Sequence, residues 1–122
     1  MEANGARIEV VQKGDITEVE LLDAEILDEI DINKLAETLF SLVEEQPPIR
    51  LMLSFSRVRH LSSSALGVLI RLHKRISESG GELRLCCIQP TIYEIFKITK
   101  LNKVFQIYED KAEALRSMEK KG

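Results

Sequence analysis

The chain has 122 residues, 44% hydrophobic, 30% charged and 5% aromatic, with no Trp and a formal net charge of -3 at pH 7. That length and apolar share suit one globular domain over 1–122 whose core needs no disulfide or metal staple, and they exclude disorder as the main state. Net acidity argues against nonspecific nucleic-acid binding, no apolar run approaches the ~20 residues of a membrane span, and residues 1–12 lack a signal-peptide core, so a soluble, cytoplasmic protein is expected.

Residues 1–6 read as a loose terminus. Residues 8–12 and 17–22 are β-branched or alternating, and Lys13-Gly14-Asp15 between them marks a turn, so the chain opens on a β-hairpin. Ile32, Leu35, Ala36, Leu39, Phe40 and Val43 then recur at i, i+3, i+4, i+7, i+8 and i+11, one apolar helical stripe with Asp31 as its expected N-cap. Pro47-Pro48 ends that helix, since neither proline has an N–H for the ladder. Residues 49–55 (IRLMLSF) have the length and apolarity of a central strand, followed by a loop over 56–61 and a helix start at Ser62-Ser63-Ser64. In that helix Ala65, Val68, Leu69, Leu72 and Ile76 share one side, Arg71, Lys74, Arg75 and Glu78 lie outside, and Gly80-Gly81 closes it.

Residues 82–88 (ELRLCCI) form the next buried strand. Pro90 opens a short helix to about Lys97, with Ile92, Ile95 and Phe96 on its apolar side, and 104–108 is a last strand. Asp110 with Glu113 is a capping-box-like start to a terminal helix carrying Ala112, Leu115 and Met118. The order β-β-α-β-α-β-α-β-α predicts an α/β fold: a mixed, mostly parallel sheet of about five strands, with about four helices mainly on one face.

Two chemical features stand apart from this framework. Cys86 and Cys87 are adjacent, and strand alternation would point them to opposite faces, badly placed for a mutual bond. No Cys-x-x-Cys spacing accompanies them, so they are expected as small core residues, and neither a metal nor another cofactor is indicated. Charge is also segregated: residues 15–46 hold 11 acidic and one basic residue, whereas 50–103 hold 10 basic and 3 acidic. Such a distribution either orients a partner or forms two solvated faces.

Strand-end loops are where α/β sheets place their ligands, so the loop after Phe55 is the first candidate site. It presents Ser56, Arg57, Arg59 and His60 before three serines at a helix start. One hydroxyl there serves as a cap; a phosphate there would meet free backbone N–H groups, the positive end of the helix dipole and the two arginines. Capping accounts for one serine and not for three.

Nearly the whole chain resembles a STAS domain, the fold of bacterial anti-sigma factor antagonists. The resemblance rests on an apolar strand, a loop, the helix start Ser63-Ser64-Ala65-Leu66-Gly67, Gly80-Gly81 before a second strand, then Pro90, Phe96 and the segment 101–105. It implies a binding module that docks on an anti-sigma factor with serine kinase activity and is released when that kinase phosphorylates Ser63. Ser62, Ser63, Ser64, Ala65, Leu66, Arg57, Arg59 and His60 would then line the partner surface. Three places depart from the family pattern. Asp-Ser-Ser-Gly is Ser62-Ser63-Ser64-Ala65 here, a strand-end Asp is Ser54, and Gly-x-Leu-Asp is Ala24-Glu25-Ile26-Leu27. Losing two acids beside the acceptor bears on phosphorylation more than on docking, and Arg57 and Arg59 would offset part of the phosphate charge, giving a weaker switch.

An enzyme is not expected. His60 and His73 are the available bases for a nucleophilic serine, but His73 lies about ten residues, roughly 15 Å of helical rise, from the helix start. There is no Gly-x-Ser-x-Gly elbow, P-loop or dinucleotide fingerprint. The alternative within the same fold is a STAS-type regulatory subunit of an ATPase in a lipid-transport assembly, without a phosphorylation switch. Arg71, Lys74 and Arg75 read as a solvated helix face rather than a membrane-binding one, and no direct nucleic-acid contact is expected.

Overall fold

A computed structural model describes residues 7–119, so the terminus expected over 1–6 lies outside the described residues. The elements in chain order are β1 (Ile8–Lys13), β2 (Ile16–Leu21), β3 (Glu25–Ile26), α1 (Glu29–Glu45), β4 (Arg50–Ser54), β5 (His60–Leu61), α2 (Ser63–Glu78), β6 (Glu82–Cys86), α3 (Pro90–Ile98), β7 (Gln106–Tyr108) and α4 (Lys111–Met118). The main sheet runs β1-β2-β4-β6-β7; β1 is antiparallel to β2 and every later pairing is parallel. β3 and β5 make a separate parallel pair. This is the mixed, mostly parallel sheet that alternating strands and helices predict.

Lys13 pairs with Ile16, which leaves Gly14-Asp15 as a two-residue turn. Gly14 takes φ +61° at its first position, a conformation that costs a side-chain-bearing residue strain. At the other end of the sheet, Gly81 seats β6 against β4. A Cβ there would collide with the Ile49 carbonyl oxygen and lie 3.0 Å from Ile76 Cγ2.

Strand alternation sorts the two faces. Val19, Leu21, Leu51, Leu53, Leu83 and Leu85 join the main core with Leu35 and Leu39 of α1, Leu69 and Leu72 of α2, and Ile92 and Phe96 of α3. On the opposite face Ile16, Met52 and Cys86 pack under Ala114 and Met118 of α4. Three helices therefore share one face and α4 alone covers the other. Each fully buried leucine contributes about 1.5–3 kcal/mol of transfer free energy.

Four local expectations are corrected. The N-cap of α1 is Asp28, whose side chain accepts from Asp31 N–H at 2.8 Å, not Asp31 itself. The first turn leaves no mark on the apolar stripe because Ile30 lies off it and is 67% exposed. In α4 the buried pair is Ala114 and Met118, at i and i+4, while Leu115 is partly buried and Ala112 exposed; Asp110 as N-cap sets that phase. A short 3-10 turn over Leu101–Lys103 follows Lys100 at φ +64°, so the last strand begins only at Gln106. β6 ends at Cys86 because Cys87 turns out of the strand with φ +64°. The two sulfurs consequently share a side, 3.3 Å apart, instead of pointing to opposite faces.

Candidate functional site

The loop between β4 and α2 is a pedestal with buried feet. Phe55, Val58 and Leu61, three residues apart, are buried in the core, and Ser56, Arg57, Arg59 and His60 between them are exposed. Backbone hydrogen bonds fix the path: Phe55 N–H donates to Cys86 O (3.0 Å), Val58 N–H to Phe55 O (2.9 Å) and Arg59 N–H to Ala24 O (2.7 Å). Ser62 N–H donates to Ile26 O at 3.1 Å, which ties the start of α2 to the end of β3.

The three serines divide their roles. Ser62 is the N-cap: its backbone is extended and its Oγ accepts from Ala65 N–H at 3.2 Å. Ser63 and Ser64 are the first two helical residues, both exposed, and neither hydroxyl has a hydrogen-bond partner among the described residues. No acidic residue occupies the first turn of α2, so nothing within that turn neutralises the positive end of its dipole. Ala65 and Leu66 are buried at 0% and 4% exposure and support the helix from the core side. Of the residues expected on the partner surface, these two turn their side chains to the core, while Ser63, Ser64, Arg57, Arg59 and His60 are exposed.

Arg57 and Arg59 form no ion pair or side-chain hydrogen bond among the described residues, and both are exposed beside the serine helix start in the chain. His60 is exposed on β5. His73 packs edge-on against Phe105, ring centroids 5.4 Å apart, so its ring serves the packing of α2. Ser54, at the position of the family's strand-end acid, is fully buried, and a carboxylate there would need a charge partner.

Several residues of this surface gave no signal in the sequence. Glu20 at the end of β2 accepts from Ser56 Oγ at 2.7 Å and pairs with Lys111 Nζ at 3.4 Å. Gln89 Nε2 donates to Ser56 O at 3.3 Å. Loop, β2, α3 and α4 are thus joined through residues distant in sequence. Leu27, directly after β3, is 49% exposed next to the edge that β3 shares with β5 and the start of α2, and Ile30 in the first turn of α1 is 67% exposed. The segregated charges partly meet each other: Glu44 of α1 pairs with Arg75 of α2, which also stacks over Phe40 at 5.8 Å. Among the described residues no helix is long and apolar enough to cross a membrane.

The STAS domain family model matches residues 7–114. An anti-sigma F factor antagonist of Paenibacillus polymyxa is 30% identical over 69 residues, which cover 57% of this chain and 59% of that relative. The chain spans 50% to 64% of the length of the curated relatives it matches. Among solved structures, an anti-sigma-factor antagonist (STAS) domain protein from Planctomyces limnophilus is similar at a TM-score of 0.80 and 25% identity, over 91% of this chain and 97% of that one. The Bacillus cell fate determinant SpoIIAA in its phosphorylated form shares the fold at a TM-score of 0.69 and 15% identity, over 93% of this chain and 100% of that one. A matching family model over most of its length, together with the shared fold, establishes that the chain belongs to the STAS domain family.

Proposed function

We propose that this protein is an anti-sigma factor antagonist: a docking module for an anti-sigma factor with serine kinase activity, released when Ser63 is phosphorylated. The observation that carries the reading is the division of labour at the start of α2. Ser62 takes the cap, which leaves the Ser63 hydroxyl exposed and unpartnered among the described residues, at a helix N-terminus whose loop is anchored by buried Phe55, Val58 and Leu61. The names of the relatives support the same role.

The docking surface consists of Ser62, Ser63 and Ser64 with Arg57, Arg59 and His60, extended by exposed Leu27 and Ile30. The apolar pair supplies desolvation energy and the polar loop supplies register. A phosphate adds about -1.5 to -2 charge, and desolvating it in a close-packed interface favours release. Arg57 and Arg59, which form no ion pair among the described residues, draw part of that charge back onto the domain, so the switch is graded.

The test is affinity capture from the source organism with wild type and Ser63→Asp as baits, read by mass spectrometry. An ATP-binding anti-sigma kinase held by wild type and depleted on the aspartate bait is expected. Equal recovery on both baits refutes the Ser63 switch, and recovery of a transporter ATPase instead replaces the reading with a transport-regulatory one.

A further inference from the structure

The small core beneath α4 contains three sulfur atoms in a row. Cys86 Sγ lies 3.3 Å from Met52 Sδ, and Cys87 Sγ lies 3.3 Å from Cys86 Sγ. The left-handed backbone at Cys87, a conformation costing a non-glycine residue roughly 1–2 kcal/mol, brings its sulfur round to its neighbour. Residues held in such conformations concentrate at functional sites. Cross-strand hydrogen bonds keep the turn in place: Cys87 N–H donates to Tyr108 O at 3.3 Å, and Cys86 O accepts from Phe55 N–H at 3.0 Å.

The two thiols are unequal. Cys86 is buried and Cys87 only partly so. Burial first, and then the Cys87 sulfur, pushes the Cys86 thiol far above its ordinary range, outweighing the opposite pull of Ser54 and Lys111. Cys86 therefore stays protonated, and Cys87 is the sulfur an aqueous oxidant reaches first.

We propose that Cys86 and Cys87 form a hydroperoxide-sensitive modification site that closes to a disulfide between adjacent residues. Cys87, as thiolate, attacks the terminal oxygen of the hydroperoxide; the O–O bond breaks, an alcohol leaves after protonation, and Cys87 becomes a sulfenic acid. The Cys86 sulfur then attacks the Cys87 sulfur, the S–O bond breaks, and the departing hydroxide carries off the Cys86 proton as water. Two thiols and one hydroperoxide give one disulfide, one alcohol and one water. Adjacent Cα atoms lie about 3.8 Å apart, closer than the usual span of about 4.4–6.8 Å for a disulfide, so the product is strained and a dithiol reductant reopens it readily. The serines at the start of α2 take no part in this chemistry, and the inference does not rest on the docking reading.

The experiment treats the full chain with tert-butyl hydroperoxide, alkylates remaining thiols and digests with trypsin. Cleavage after Arg84 and Lys97 releases both cysteines in one peptide, 85–97. Expected are a loss of two hydrogens from that peptide, no alkylation, two thiols lost per peroxide consumed, and full reversal by dithiothreitol. Sulfinic acid at Cys87 with Cys86 still alkylated, a covalent dimer, or an unchanged peptide overturns the proposal. Two variants at the site sharpen the test. Cys86→Ser should accumulate a dimedone-reactive Cys87, and Cys87→Ser should lose its remaining thiol roughly tenfold more slowly or worse. A Cys87→Ser protein that reacts as fast as wild type also overturns it.

Discussion

Replacing Ser62 and Ser63 one at a time should separate the cap from the acceptor. Ser62→Ala removes the oxygen that accepts from Ala65 N–H at 3.2 Å, and loss of such a cap costs about 1 kcal/mol, within about 0.5–2. Ser63→Ala removes an exposed hydroxyl with no partner, so stability should stay within about 0.5 kcal/mol of wild type. Ser63→Asp places a negative charge in a first turn that has none and should stabilise the free domain by about 0.3–1 kcal/mol at low salt. The same substitution should weaken partner binding, so its two effects have opposite sign. Urea unfolding followed by far-UV circular dichroism reads these differences as midpoint shifts. One kcal/mol moves the midpoint by roughly 0.3–1 M if the slope is unchanged. The gain from Ser63→Asp should fade as salt is raised, and the loss from Ser62→Ala should persist. A neutral Ser62→Ala, or a Ser63→Ala that costs as much, would mean that Ser63 is the cap, and the proposed switch would lose its free hydroxyl.

Further substitutions probe the surface and its supports. Leu27→Asp and Ile30→Asp, at exposed positions, should reduce partner recovery in the capture assay while leaving stability in urea within about 0.5 kcal/mol of wild type. Replacing both Arg57 and Arg59 by alanine should deepen the loss of binding caused by Ser63→Asp in a double-mutant cycle; additive losses would show that the arginines do not act on the charge. Gly81→Ala drives a methyl into the Ile49 carbonyl oxygen and should cost about 1–3 kcal/mol by denaturant titration. Arg50, 11% exposed, binds Asp15, Glu82 and the Met118 carbonyl, so Arg50→Met should cost about 1–3 kcal/mol and lower the melting temperature.

Element order was legible in the sequence because periodicity reports which side of a segment is buried. The stripe from Ile32 to Val43 alone defined the buried side of α1, and the alternation of apolar runs with helical stripes implied the mixed sheet. The same signal failed where a residue lies off the stripe or the backbone departs from a regular path. Asp28 gives no cap signal in the apolar pattern because Ile30 faces solvent, and Cys87 departs from the alternation because a left-handed residue cancels it.

Local pattern was enough to show that three serines begin a helix after a central strand, and that two arginines precede them. Which serine is occupied emerged from the folded chain alone, since a cap depends on one oxygen meeting one N–H across three residues. The same holds for the meeting of Glu20, Gln89 and Lys111 around Ser56, and for Leu27 lying beside the serine helix start. Those contacts join residues far apart in the chain, about which local pattern carries no information; parallel pairing of β2, β4 and β6 brings them together.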